Sequence, residues 1–178
     1  MVDAPTTPDL GVGSHQAVLA AAIARTAGPI VECGVGHFST AMVHLLGRGR
    51  QILSLETDAE WLGKFAHLKS ANHRMELVPF LGHHEAIAEW ERIGREMEPT
   101  QDGVIFLDQS PGEARVPMAK AIKGKFKYLV AHDTEADIPP GGGNYMWRRL
   151  NGVFRFEVVY KDVRTWTTVY SDEEEFAL

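Results

Sequence analysis

The chain has 178 residues, is 44% hydrophobic and carries a formal net charge of −6. That size suits one domain with a full core, and the acidic balance weighs against a nucleic-acid partner, although an acidic total can hide a local basic patch. Its one cysteine, Cys33, excludes an internal disulfide and fits a reducing cytoplasm, and no apolar run approaches the ~20 residues of a membrane span.

The opening MVDAPTTPDLGVG has no basic start followed by an apolar stretch, so residues 1–13 are expected as a flexible arm rather than a secretion signal. Ser14 to Ala27, alanine-rich with Val18, Leu19 and Ile23, reads as a helix. Pro29 to Cys33 is a short buried strand, and Thr40 to Leu46 a helix stopped by Gly47. Gln51 to Glu56 is the next strand, followed by a helix that Asp58 caps and that carries Trp61, Leu62, Phe65 and Leu68. Met75 to Phe80 is a third strand. Glu85 to Met97 is a helix with Ile87, Trp90, Ile93 and Met97 at three- and four-residue steps. Gly103 to Asp108 is a fourth strand, a helix starts near Pro117, and Tyr128 to Asp133 is a fifth strand. VFRFEVVYK and TWTTVYS form a strand pair, and residues 172–178 an acidic tail.

This alternation predicts an α/β fold in a single domain over residues 1–178. It is Rossmann-like and doubly wound: a mainly parallel seven-stranded sheet, helices on both faces, and a C-terminal antiparallel hairpin at one edge. Ligands bind such sheets beyond the carboxyl ends of the strands. The residues just after each strand therefore carry the information.

Gly34 and Gly36 in IVECGVGHFST stand between the first strand and its helix. They suit a tight turn and let a ligand approach bare backbone. Ser39 or Thr40 would cap the helix behind them. Glu56 ends the second strand, twenty-four positions after Glu32, where an acid can accept hydrogen bonds from both ribose hydroxyls of an adenosine. A pyrophosphate would be repelled by Glu32, whereas the ammonium of a methionine moiety would be attracted. That contrast favours S-adenosylmethionine over a dinucleotide.

With VECGVGHFS, ILSLE and VIFLDQSP in hand, the chain resembles the class I S-adenosylmethionine-dependent methyltransferases from about Ser14 to Ser171. The loop departs from the family's pattern in lacking a third glycine; Ser39 stands there. The resemblance implies that Glu32, Gly34, Gly36 and Ser39 hold the methionine part. It implies that Glu56 and Thr57 hold the ribose, that Phe80 to Gly82 lie near the adenine, and that Asp108 faces the methyl.

Asp108 and Asp133 end neighbouring strands and are read, with His132, as the catalytic set. The acids would serve as base or would hold a Mg²⁺-like ion that lowers the pKa of an acceptor hydroxyl. His132 is either a base oriented by Asp133 or a strand-end structural histidine. Metal-dependent catechol-type enzymes carry Asp-Asn after the fifth strand; here Thr134 follows Asp133, with His132 or Glu135 to compensate. His83 and His84 are adjacent, so their rings point apart. Trp61, Trp90 and Cys33 are read as core. PPGGGNYMWRR is either a connection or a flap that brings Tyr145, Trp147, Arg148 or Arg149 to the acceptor. The expected acceptor is a small or medium molecule methylated at oxygen. The alternatives are RNA, for which Arg148, Arg149, Arg155 and Lys161 are the only basic cluster, protein, a non-catalytic cofactor-binding module and, more weakly, a nicotinamide-dependent oxidoreductase. DQSP lacks the aromatic of an amino-methyltransferase motif. The edge hairpin offers pairing to a second copy.

Overall fold

The computed structural model describes residues 13–79, 82–135 and 145–178. Its strands are β1 (Ile30–Cys33), β2 (Ile52–Glu56), β3 (His73–Leu77), β4 (Thr100–Leu107), β5 (Phe126–His132), β6 (Phe156–Tyr160) and β7 (Thr167–Ser171). The helices are α1 (Gln16–Ala24), α2 (Thr40–Leu46), α3 (Ala59–Lys64), α4 (His83–Glu96) and α5 (Arg115–Ala121). One seven-stranded sheet runs in the order β3-β2-β1-β4-β5-β7-β6. β1 to β5 are parallel, and β7 is antiparallel to both β5 and β6. The predicted Rossmann-like sheet is therefore present.

The register lines up the strand ends. Cys33 pairs with Leu55 on one side and Leu107 on the other, and Leu107 pairs with Ala131. Gly34, Glu56, Asp108 and His132, each one step further on, consequently share one rim. The strand order reverses between β1 and β4, the position where doubly wound sheets open a crevice.

Side-chain alternation builds two apolar layers. Ile30, Ile52, Val104, Phe106 and Val130 face Val18, Leu19, Ala22 and Ile23 of α1 and Val43 of α2. Val31, Cys33, Ile105, Leu107, Leu129 and Ala131 face Trp90 of α4 and Met118 and Ala119 of α5. Both faces are thus closed by helices, as a parallel sheet requires.

The differences from expectation lie at the element ends. The third strand runs His73–Leu77, short of Phe80, which lies outside the described residues. The fourth begins at Thr100 and shifts register between Thr100 and Val104. A 3-10 turn, Gly112–Ala114, precedes α5, so Pro117 falls in the first turn of that helix, where an absent N–H costs nothing. Within the hairpin, the antiparallel strand β7 is the interior one and is buried throughout, while β6 forms the half-exposed edge.

Trp90 ties the helical layer to the rim. Its indole is fully buried and its Nε1 donates to Ser110 O at 3.0 Å. Trp90→Ala should cost about 3–5 kcal/mol in urea unfolding. Trp90→Phe keeps most of the packing and should cost about 1 kcal/mol, the value of one hydrogen bond.

Candidate active site

The turn after β1 is held closed by its own neighbours. Gly34 has φ 87°, a left-handed conformation that strains any other residue. A Cβ at Gly34 would lie 2.6 Å from Asp108 O and 2.8 Å from Gln109 N. The β4 exit packs directly on this backbone, so two loops of the rim require glycine here. Gly36 has no such constraint: a Cβ there would meet only Ser39 Oγ, at 3.5 Å.

Glu32 works from beneath this loop. It is 0% exposed and lies on the α1 face of the sheet. Its Oε1 accepts from Thr40 Oγ1 at 3.0 Å, and Thr40 Oγ1 accepts in turn from Gly36 N at 2.8 Å. Its Oε2 accepts from Ser54 Oγ at 2.5 Å, and Ser54 contacts His73 Nε2 at 2.9 Å. His73 Nδ1 meets His44 Nδ1 at 3.0 Å. A polar chain therefore runs from the half-buried His44 through the core to the loop backbone. Burial pushes the Glu32 carboxyl up to about 7 against the pull of the Ser39, Ser54 and Thr40 hydroxyls. The expected cap of α2 is absent: Ser39 makes no side-chain capping bond, and the Thr40 hydroxyl is turned inward.

A cavity of about 530 Å³ opens on the rim, lined by Gly34, Val35, Glu56, Thr57, Asp58, Trp61, Asp108 and Ser110. Glu56 anchors its wall. Glu56 Oε2 accepts from Val35 N at 3.0 Å, and Oε1 from Thr57 N at 2.7 Å and Asp58 N at 3.0 Å. The Thr57 hydroxyl also donates to Oε1, at 3.2 Å, so Oε1 is filled, and it is Oε2 that keeps lone-pair capacity toward the cavity. Asp58 caps α3 by accepting from Trp61 N at 2.9 Å, which places the Trp61 indole against the loop, where Nε1 donates to Val35 O at 2.7 Å.

The far side of the rim is organised by Arg115, a buried residue at the start of α5. Its Nε donates to Gln109 O at 3.0 Å, Nη2 to Asp108 O at 3.0 Å, and Nη1 to His132 O at 3.1 Å. The same guanidinium pairs with Asp108 Oδ1 at 2.9 Å and Asp133 Oδ2 at 3.2 Å. Its cationic face lies 4.6 Å from the Tyr145 ring centroid. Asp108 and Asp133 do converge, as expected, but on a guanidinium. A Mg²⁺ ion demands several oxygen ligands, and the Arg115 guanidinium lies between the two carboxylates, where an ion shared by both would have to stand. The pair does not fit that ion.

His132 is the residue next to both acids. Its Nδ1 lies 3.3 Å from Asp108 Oδ1 and 3.6 Å from Asp133 Oδ1. Its Nε2 is met by the hydroxyls of Ser14, at 2.9 Å, and Thr165, at 2.8 Å. Burial alone would lower the His132 pKa; the hydrogen bond and charge of Asp108 outweigh it, and the pKa is raised. Burial likewise favours a neutral Asp108, and His132 with Arg115 outweighs it and holds the carboxyl below its ordinary range. Thr134 Oγ1 is taken by Thr168 Oγ1 at 2.7 Å, so it is committed to the strand pair.

Of the residues singled out from sequence, Gly34, Glu56, Thr57 and Asp108 line the cavity. Glu32, Gly36 and Ser39 stand behind it, while His132 and Asp133 adjoin it through Asp108. Phe80 and all of PPGGGN lie outside the described residues. His83 and His84 sit at the start of α4 with ring centroids 5.8 Å apart. Trp61, expected in the core, packs on the apolar cluster of Val35, Leu62, Phe65 and Met75 and also forms a wall of the cavity. Arg115 and His15 carried no local signal: an arginine in GEARVPMAK reads as surface, and His15 as the edge of a helix.

No family model matches the chain, and no curated protein matches it. Solved structures do. An rRNA methylase from Streptococcus thermophilus is 12% identical, with TM-score 0.56 over 96% of this chain and 98% of that one. A Klebsiella pneumoniae protein assigned as an O-methyltransferase is 16% identical, with TM-score 0.61 over 96% of this chain and 83% of that one. A Streptococcus mutans protein assigned as a methyltransferase, solved in complex with SAH, is 12% identical, with TM-score 0.57 over 87% of this chain and 96% of that one. The fold is that of the class I S-adenosylmethionine-dependent methyltransferases, the family that the sequence resembles.

Glu32 makes the stability of this rim depend on pH. Its carboxyl titrates near 4.5 when unfolded and at about 7 when buried, so between those values the folded state holds the extra proton. The contribution of Glu32 to stability is full below that window and falls as pH rises through it. Glu32→Gln keeps a neutral group of the same shape. Buried His15 and His73, lowered to about 4, act in the opposite sense and are common to both proteins. The test is therefore the difference: the Tm of Glu32→Gln minus that of the wild type should rise between about pH 4.5 and 7 and be level outside that window.

Proposed function

We propose that the chain is an S-adenosylmethionine-dependent methyltransferase that acts on a small or medium acceptor at oxygen. The observation that carries this reading is Glu56, set on the cavity wall beside the bare backbone of Gly34. A carboxylate at the end of the second strand suits a ribose diol. Trp61 offers an indole surface beside it, and Val35, Thr57 and Asp58 complete a wall whose backbone donors are already satisfied by Glu56. The donor set fits the cofactor: one acid for a diol, a flat aromatic face, and a turn without side chains. Glu32 is read as support for the turn rather than as a direct ligand, since its oxygens are taken by Thr40 and Ser54.

The cofactor's chemistry is transfer of a methyl from a sulfonium, a leaving group that needs no acid. What remains for the chain is to align the acceptor and help remove its proton, help worth roughly 10²–10⁴-fold. Asp108 lines the cavity and reaches His132, so these two residues are assigned to the acceptor end. Asp133 acts through Arg115, as a positioning residue. Arg148 and Arg149 occupy a 3-10 turn, Trp147–Leu150, whose Trp147 Nε1 donates to Asp133 O at 2.8 Å. That placement keeps an RNA acceptor as the second reading.

Titration calorimetry should show S-adenosylhomocysteine binding and no NAD binding. The reverse result would remove this reading. Glu56→Ala should weaken S-adenosylhomocysteine by about 10–100-fold, the value of one or two hydrogen bonds to a charged group. Asp133→Asn should leave that affinity nearly unchanged. A short single-stranded RNA should leave the heat of cofactor binding unaltered; a shift would favour the RNA acceptor.

A further inference from the structure

We infer that His15, Asp108 and His132 form a binding site for one divalent ion of the zinc class. Three separate segments supply the donors: the residue before α1, the exit of β4 and the last residue of β5. One ligand atom from each lies within 4.8 Å of the others. The inference rests on side-chain geometry, independently of the methyl-transfer reading.

His15 is the observation that asks for a ligand. Its ring is 2% exposed, and among the described residues neither ring nitrogen has a hydrogen-bond partner. A buried imidazole left unpaired on both sides carries a cost, and metal ligation would relieve it at one of the two nitrogens. The ring is also held in place, 4.7 Å from the Phe106 ring and 4.6 Å from that of His132.

The other two donors have ligand-like spacing. His132 Nδ1 and Asp108 Oδ1 are 3.3 Å apart, long for a charge-assisted hydrogen bond. Two ligands at about 2.0–2.1 Å from a tetrahedral ion stand roughly 3.4 Å apart. The outer contacts fit as well. Ser14 and Thr165 hydroxyls meet His132 Nε2 and can accept its N–H, so that Nδ1 exchanges its contact with Asp108 for the ion when one binds. Arg115 fixes the Asp108 carboxylate at 2.9 Å.

Two imidazoles with one carboxylate suit Zn²⁺, Co²⁺ or Fe²⁺, not the hard ions that take oxygen alone. The site differs from the Asp108–Asp133 pair, because it spends one carboxylate and draws its remaining donors from two imidazoles. Asp108 also lines the cavity, so an ion here stands at the acceptor end and pins the segment before α1 onto the rim.

The test uses the full chain, stripped with a chelator and titrated with Co²⁺ alone. One equivalent should bind, with visible absorption of a low-symmetry Co²⁺ centre that Zn²⁺ abolishes. His15→Gln should weaken Co²⁺ by about 100-fold or more, since loss of an outer-shell partner alone costs 10–100-fold. His15→Phe, which keeps the packing on Phe106, should do the same, and circular dichroism checks that both variants fold. A His83→Ala/His84→Ala double variant should bind as the wild type does. No Co²⁺ or Zn²⁺ uptake, uptake that survives both His15 substitutions, or uptake lost in the double variant would overturn the inference. Calorimetry with S-adenosylhomocysteine on the stripped chain reports separately on the cofactor cavity.

Discussion

The rim depends on one buried cation. Arg115 reaches from the first turn of α5 into the gap between β4 and β5 and closes hydrogen bonds on three backbone carbonyls and two carboxylates. A guanidinium is suited to this work because its donors are planar, rigid and always charged. A buried charge without such partners would be costly; with them it fixes two loops relative to each other. The cost is met by geometry: Asp108 stays ionised, His132 is turned toward it, and Tyr145 covers the open face of the cation. Each residue assigned to the acceptor end takes its orientation from this arrangement.

The β1 side is built on a different principle. There a carboxyl, Glu32, is buried without a cation and is tolerated because hydroxyls surround it. It fixes the turn through Thr40 and Gly36, while Glu56 fixes the same turn from the opposite side through Val35 N. Gly34 is the hinge on which the two halves meet, since its backbone touches that of Asp108 and Gln109. The cavity is thus bounded by two loops in direct contact, one held by a neutral network and one by an ionic one. That division explains why Glu32 sits outside the cavity although it stands in the motif.

The identities of the strands, their order of appearance and the rim position of Gly34, Glu56, Asp108 and His132 were legible because they follow from local periodicity. Apolar runs mark buried parallel strands, and the residue after each run must fall on the carboxyl edge. Errors gathered where tertiary contact overrides the local pattern. Trp61 has helical spacing suited to a core and does pack on one, yet its indole N–H needs a partner and finds it on Val35 O, which also sets the ring on the cavity wall. Asp108 and Asp133 read as a metal pair because their strands are neighbours; only packing shows that a side chain from α5 lies between them.

The sequence by itself determined the α/β class, the mainly parallel sheet, the glycine turn and the acid that faces it, since each is written in residues close together in the chain. The tertiary structure decided which charges are paired, which carboxyl is buried and which is open, and that β7 lies inside the hairpin pair. It also brought His15 beside His132, more than a hundred positions away. The physical reason is range. Backbone preference and hydrophobic period act over a few residues, whereas the partner of a buried charge or imidazole is chosen by how helices pack across the sheet.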